Sequence, residues 1–209
     1  MNNPLAIRPP SLGRLHCNLF RPGLHALRCF IMLGATMMLV GCVGTFKEVH
    51  SLGGGPPPKE RPSALVVADI TIADTRLSEP EQKVMQHAFR LGVEKWCAEH
   101  KVANVLADLP AGASQDTLVL KGVVTEVEKG SAAARFWVGM GAGQQRAVGE
   151  FTVHAADGTR LTAFKVRRSY LGGNGIGGWD MMKLEDLVDQ LGQLAAETLD
   201  KWLRGQKIE

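Results

Sequence analysis

Arg146 to Tyr170 reads R-A-V-G-E-F-T-V-H-A-A-D-G-T-R-L-T-A-F-K-V-R-R-S-Y, two runs that alternate apolar and polar residues around Asp157-Gly158. An Asp-Gly pair between such runs is a strong hairpin signal, because it tolerates the positive φ that a tight turn demands. The first run, Arg146 to Ala156, turns Ala147, Gly149, Phe151, Val153 and Ala155 to one side. The second, Leu161 to Tyr170, aligns Phe164, Val166 and Tyr170. One face of the hairpin is therefore apolar and has to be covered.

The rest of the domain supplies the cover. Thr117 to Glu128 reads as another strand, and so does Ala64 to Ala73, with Val66, Ala68, Ile70 and Ile72 on one face. Between them Ser78 can cap a helix, with Glu81 three residues on to complete a capping box. Met85, Phe89, Gly92 and Trp96 give that helix an apolar stripe to about His100. A last helix, Asp180 to Arg204, carries Leu184, Leu187, Val188, Leu191, Leu194, Ala195 and Trp202 inward, and Lys183, Lys201 and Arg204 outward. The order β-α-β-β-β-α predicts an α+β two-layer sandwich: a mostly antiparallel sheet of about four strands, with two helices on one face. Residues 63–207 are long enough to make this a single domain that buries roughly two-thirds of its unfolded surface.

The chain has 209 residues, 45% hydrophobic and 22% charged, which excludes wholesale disorder. A net charge of +3 is too weak to point to nucleic acid, and it is unevenly placed. Residues 1–41 hold Arg8, Arg14, Arg21 and Arg28 and no acid; removing those four leaves 20 basic residues against 21 acidic.

Cys29 to Cys42 reads C-F-I-M-L-G-A-T-M-M-L-V-G-C, uncharged and shorter than the roughly 20 residues of a spanning helix. A basic stretch, a short apolar run and small residues make the layout of a secretory signal over 1–41. Its ending, Leu39-Val40-Gly41-Cys42, resembles the lipobox of bacterial lipoproteins. That resemblance implies cleavage before Cys42 and acylation of the Cys42 thiol and the new amine. Val43 stands where an Asp would resemble an inner-membrane retention signal, so the implied destination is the outer membrane, with the domain in the periplasm. Each buried CH₂ adds about 0.8 kcal/mol, so two or three acyl chains anchor a protein almost permanently. The basic stretch is longer than such a signal needs, as a start codon near Leu19 or Leu24 would explain; the N-terminal sequence of the precursor tests this. With Cys17 and Cys29 in the signal and Cys42 lipidated, Cys97 remains alone and cannot form an internal disulfide.

Residues 42–62 contain Gly53-Gly54-Gly55 and Pro56-Pro57-Pro58, which read as a tether that is neither helix nor strand. Its roughly 20 residues would reach about 60 Å at about 3.1 Å each.

Motifs that carry chemistry are few. Gly173 to Gly178 contains G-x-G-x-x-G, but the second parallel strand and ribose-holding acid of a dinucleotide fold are missing, so no nucleotide is expected. Cys97 and His100 have a ligand-like spacing without the second pair of a metal site, and no metal or other cofactor is expected. His154 has Asp157 nearby but no nucleophile beside it, and Glu126 and Glu128 alternate onto one strand face. A solvated strand face accounts for the two glutamates better than a catalytic carboxylate pair, and no catalytic residue is expected. Arg160, Lys165, Arg167 and Arg168 form a modest basic cluster on the hairpin, suited to headgroups or an acidic partner or simply to a solvated edge.

Ser131 to Gln145, S-A-A-A-R-F-W-V-G-M-G-A-G-Q-Q, joins two strands with far more residues than a hairpin needs. Arg135, Phe136, Trp137 and Met140 make an adaptable contact surface for protein or lipid if exposed, or finish the core if tucked beneath the sheet. Ala134-Arg135-Phe136, Gly139-Met140-Gly141-Ala142-Gly143, and Glu150-Phe151-Thr152-Val153 with Asp157-Gly158 resemble a family of uncharacterised proteobacterial lipoproteins. Trp137 stands where that family often carries an aliphatic residue. The resemblance implies class and location, and no catalytic residue comes with it. The expected role is that of a non-enzymatic membrane-anchored lipoprotein whose domain binds an envelope protein, as an accessory factor in envelope assembly or transport; the alternative is a small-molecule or lipid carrier.

Overall fold

In the computed structural model the described residues are 44–110, 112–113, 116–131, 143–171 and 182–208. They form β1 (Gly44–Gly54), β2 (Ala64–Ile72), α1 (Glu79–His100), β3 (Asn104–Leu106), β4 (Thr117–Glu128), β5 (Gln145–Ala155), β6 (Arg160–Leu171) and α2 (Leu184–Leu203). The sheet has six strands in the order β1-β6-β5-β4-β2-β3. The pairs β1–β6, β6–β5 and β5–β4 are antiparallel, while β2 runs parallel to both β4 and β3. The α+β class and the two helices are as expected; the sheet has two strands more than the four expected.

Both additions are edge strands. β3 is three residues long, too short for any period to register. β1 lies inside the stretch read as a tether, and here the structure differs from the sequence reading. Gly44 pairs with Leu171 and the register runs to Ser51–Phe164, then shifts before Gly54–Thr162. Only Gly44 and Val49 of its residues are even partly buried, so main-chain pairing rather than side-chain burial holds it, and no hydrophobic alternation announces it. Beyond the strand, Gly55 N–H donates to Leu161 O at 2.8 Å, Trp202 Nε1 donates to Gly55 O at 3.2 Å, and Arg61 Nη2 donates to Asp200 Oδ1 at 3.2 Å. The segment expected to stand off is tied down at both ends.

The helices and the covered face share one core: Leu65, Val67, Leu118, Leu120, Val124, Val127, Ala147, Phe151, Val153, Phe164, Val166 and Tyr170 from the sheet, and Phe89, Val93, Leu187, Val188, Leu191 and Leu199 from the helices. Phe151 is its centre. Its ring stacks on Phe89 with centroids 4.9 Å apart and lies over two strand glycines, where a Cβ at Gly122 or Gly149 would meet the ring. The expected face of β2 is corrected. Leu65 and Val67 point into the core rather than Val66 and Ala68, and the register shift between Val67 and Ile70 then returns Ile72 to the same side.

α1 begins as expected at the Ser78 cap: Ser78 N–H and its hydroxyl both donate to Glu81 Oε2, at 2.8 and 2.6 Å. α2 starts at Leu184, four residues later than the sequence reading, with Lys183 in the N-cap position.

Candidate functional site

Five elements meet at one end of the sandwich. β4 stops there at Glu128, β5 starts at Gln145, β6 stops at Leu171, β1 starts at Gly44, and α2 starts at Leu184. The register fixes their neighbourhood, pairing Glu128 with Arg146, Gln145 with Tyr170, and Leu171 with Gly44. Both glycine-rich connections singled out in the sequence leave from this end. Arg135, Phe136, Trp137 and Met140 lie outside the described residues, as do Gly173 to Gly178 and the lipobox residues Leu39, Val40, Gly41 and Cys42.

The bases of these connections are built from described residues. Ser131 N–H donates to Gly143 O at 3.1 Å, closing the first. Gly130 and Gly143 flank that bond with φ of +72° and +68°, and an added Cβ at either would strike the opposite backbone at 2.5 or 2.2 Å. Gln145 is 1% exposed, and its Nε2 donates to Met182 O at 2.7 Å, linking the end of the first connection to the end of the second. Its Oε1 has no donor among the described residues. In the sequence Gln145 is only the last residue of a loop, and nothing local marks it as a buried tie.

Charges at this end neutralise one another. Asp74, 5% exposed, accepts from Arg76 Nε (2.8 Å), Arg76 Nη2 (2.6 Å), Arg76 N (3.0 Å) and Val127 N (2.9 Å). The Arg76 side chain, helped by the Val127 N–H and opposed by burial, holds the Asp74 carboxyl well below the usual carboxylate range. Glu126 and Glu128 both contact Arg146, and Glu128 also meets Arg76 at 3.4 Å. Burial raises the Glu128 carboxyl and the arginines lower it, with a net downward shift. The two glutamates thus clamp Arg146 between them and are only partly exposed.

Three of the four basic residues of the hairpin are likewise engaged, by neighbouring strands and by α2. Lys165 meets Glu150 at 2.9 Å, Arg167 meets Glu48 at 3.3 Å, and Arg168 donates to Gln190 Oε1 at 3.0 Å and Thr45 Oγ1 at 3.1 Å. His154 contacts Thr152 Oγ1 and Gly158 O, both at 3.0 Å, while Asp157 turns to accept from Thr159 N at 2.8 Å. His154 and Asp157 are therefore committed separately. Cys97 is 1% exposed, and burial pushes its thiol up to about 11, far from a nucleophile. His100 instead stacks on Trp96, with ring centroids 3.8 Å apart. Among the described residues no three His, Cys, Asp or Glu side chains converge on a metal position.

Two adjoining clefts open here. One, of about 820 Å³, is lined by Arg76, Glu128, Lys129, Arg146 and Arg167 with Leu77 and Leu184. The other, of about 620 Å³, is more apolar, with Leu77, Val84, Met85, Met182 and Leu184 around Lys129 and Gln145. The second cleft has the lining of a groove for an apolar or amphipathic group, while the first is lined mainly by charged side chains.

Residues 93–173 match the domain of unknown function DUF4410. The match runs from the second half of α1 through β6 and includes the hairpin and the base of the first connection. No curated protein matches the chain. Among solved structures it is similar to the PelC dodecamer of Paraburkholderia phytofirmans, at 13% identity and a TM-score of 0.44, over 76% of this chain and 98% of that one. A variant of the same dodecamer gives 13% and 0.45 over the same shares. A neuraminyllactose-binding hemagglutinin homologue from Helicobacter pylori gives 14% and 0.35, over 72% of this chain and 89% of that one. Similarity at this level carries no inference about what the chain does. Among the described residues no helix is long and apolar enough to cross a membrane.

Proposed function

We propose that this chain is a lipoprotein anchored to the outer membrane through Cys42, whose periplasmic domain binds a partner as an accessory factor in envelope assembly or transport, with no catalytic role of its own. The observation that carries the reading is the order of basic stretch, apolar run and Leu39-Val40-Gly41-Cys42. The apolar stretch around Arg135, Phe136, Trp137 and Met140 is the proposed contact for an envelope protein. Cys42→Ser is expected to leave unprocessed precursor without acyl mass, read by mass spectrometry of the purified protein; normal maturation would sink the anchor. A photo-crosslinking residue in place of Trp137 in intact cells is expected to give a discrete protein adduct. A folded, membrane-bound protein with no adduct would remove that contact.

A second reading rests on the more apolar cleft beside Gln145. Leu77, Val84, Met85 and Met182 suit an alkyl chain, and the buried Gln145 Oε1 suits a hydroxyl or amide donor. On this reading the domain carries a small amphipathic molecule. Native mass spectrometry of gently purified protein would then show a stoichiometric adduct, lost when Val84→Trp, at an exposed position of the lining, fills the groove.

A further inference from the structure

The first strand begins two residues after Cys42, and that spacing fixes more than attachment. Two residues span at most about 7 Å. Gly44 is the first residue of β1 and pairs with Leu171, at the end of the sheet where β4, β5 and α2 also meet. The eleven residues of β1 then run away from that point, about 35 Å at strand rise. The Asp157–Gly158 turn lies at the opposite end, since β5 and β6 both span the sheet lengthwise.

We propose that the end of the sandwich carrying Gly44, Lys129, Gln145 and Lys183 lies against the lipid headgroups, with the sheet standing upright and the Asp157–Gly158 turn farthest from the bilayer. The proposal rests on the anchoring at Cys42. Chain length carries it rather than charge, because Arg76 and Arg146 at this end are matched by Asp74, Glu126 and Glu128. A 20-residue tether would leave orientation open; pairing of β1 with β6 removes that freedom. Phe46, 54% exposed and third in β1, adds an aromatic ring to the same end. Both adjoining clefts then open toward the membrane, so a ligand or partner reaching them is itself membrane-bound or membrane-embedded.

The test uses the processed, lipidated full chain in vesicles of phosphatidylethanolamine and phosphatidylglycerol doped with a lipid whose headgroup bears a quencher. A fluorophore is placed at the exposed Lys183 (Lys183→Cys) or, in a second protein, at the exposed Thr159 (Thr159→Cys); Lys129→Cys serves if the first variant folds poorly. Buried Cys97 stays unlabelled. Strong quenching at Lys183 or Lys129, at least threefold greater than at Thr159, is expected. Equal quenching, or the reverse order, on protein whose acyl mass is confirmed would overturn the orientation and leave the anchor standing. Absence of acyl mass would overturn the anchor and with it the orientation.

Discussion

Gly192→Ala will destabilise the domain by about 2 kcal/mol, even though alanine is the better helix former. In an exposed helix the same change would gain up to about 1 kcal/mol. The sign reverses because α1 and α2 cross backbone to backbone. A Cβ at Gly192 would lie 2.1 Å from Phe89 O, and a Cβ at Gly92 would lie 2.0 Å from Asp189 O. Neither obstacle is the end of a flexible side chain, so the helices themselves must part. Parting them lifts Phe89 from its stack on Phe151 and loosens the packing of Leu191 and Val188. Gly92→Ala should cost a similar amount. The double variant should cost less than the two losses together, because one separation relieves both clashes. Midpoints of urea unfolding check this, with exposed Glu99→Ala as a control expected to change little. A raised midpoint for Gly192→Ala would mean that the helices do not touch at these glycines.

How much of this contact was legible shows what a sequence conveys. Gly92 stood in the apolar stripe of α1 beside Phe89 and could be placed on the buried face by period alone. Gly192 lies on the buried face of α2 by the same period, four residues after Val188 and three before Ala195, but neither glycine shows in sequence that the backbone of the other helix lies against it. The same division runs through the fold. The Ser78–Glu81 cap, the Asp157–Gly158 turn and the inward faces of β5 and β6 are local or periodic, and they appear where the sequence puts them. β1 was missed because an edge strand held by main-chain pairing leaves its side chains solvated, so Lys47, Glu48 and His50 look like linker. The first half of β2 was assigned to the wrong face, while Ile70 and Ile72 do turn to the core, because the register shift after Val67 is a property of its pairing with β4. At the candidate site, Glu126 and Glu128 were visible as a same-face pair, but their clamping of Arg146 depends on strand register. Gln145 meets Met182 across 37 positions of chain, beyond any local pattern.

The second large effect belongs to Asp74, which was not singled out in the sequence and whose partners come from two places in the chain. Asp74→Asn is expected to cost about 2 kcal/mol at pH 7. It trades a carboxylate accepting from Arg76 and from the Val127 N–H for an amide that can satisfy only part of that set. The solvent-exposed side of Arg76 keeps the figure at the lower end for a broken buried pair. The pH dependence follows from the depressed folded-state pKa. Above the unfolded value of about 3.9 both states are ionised and the whole contribution of the carboxylate is present. As pH falls through that value the unfolded chain takes up a proton that the folded chain still refuses, and the contribution drains away. Wild type should therefore lose stability steeply below about pH 4, while Asp74→Asn follows a shallower curve and the gap between them closes. Urea midpoints for both proteins between pH 7 and pH 3 give the comparison, and parallel curves would show that Asp74 is not held ionised by Arg76. The bond also has a position. It fastens Val127, near the end of β4, to the chain entering α1, next to the cleft lined by Arg76, Leu77 and Glu128. Hydrogen exchange at the Val127 amide should accelerate in Asp74→Asn well before that of Leu120, deeper in the same strand, because the variant loosens the site-bearing end before it loosens the core.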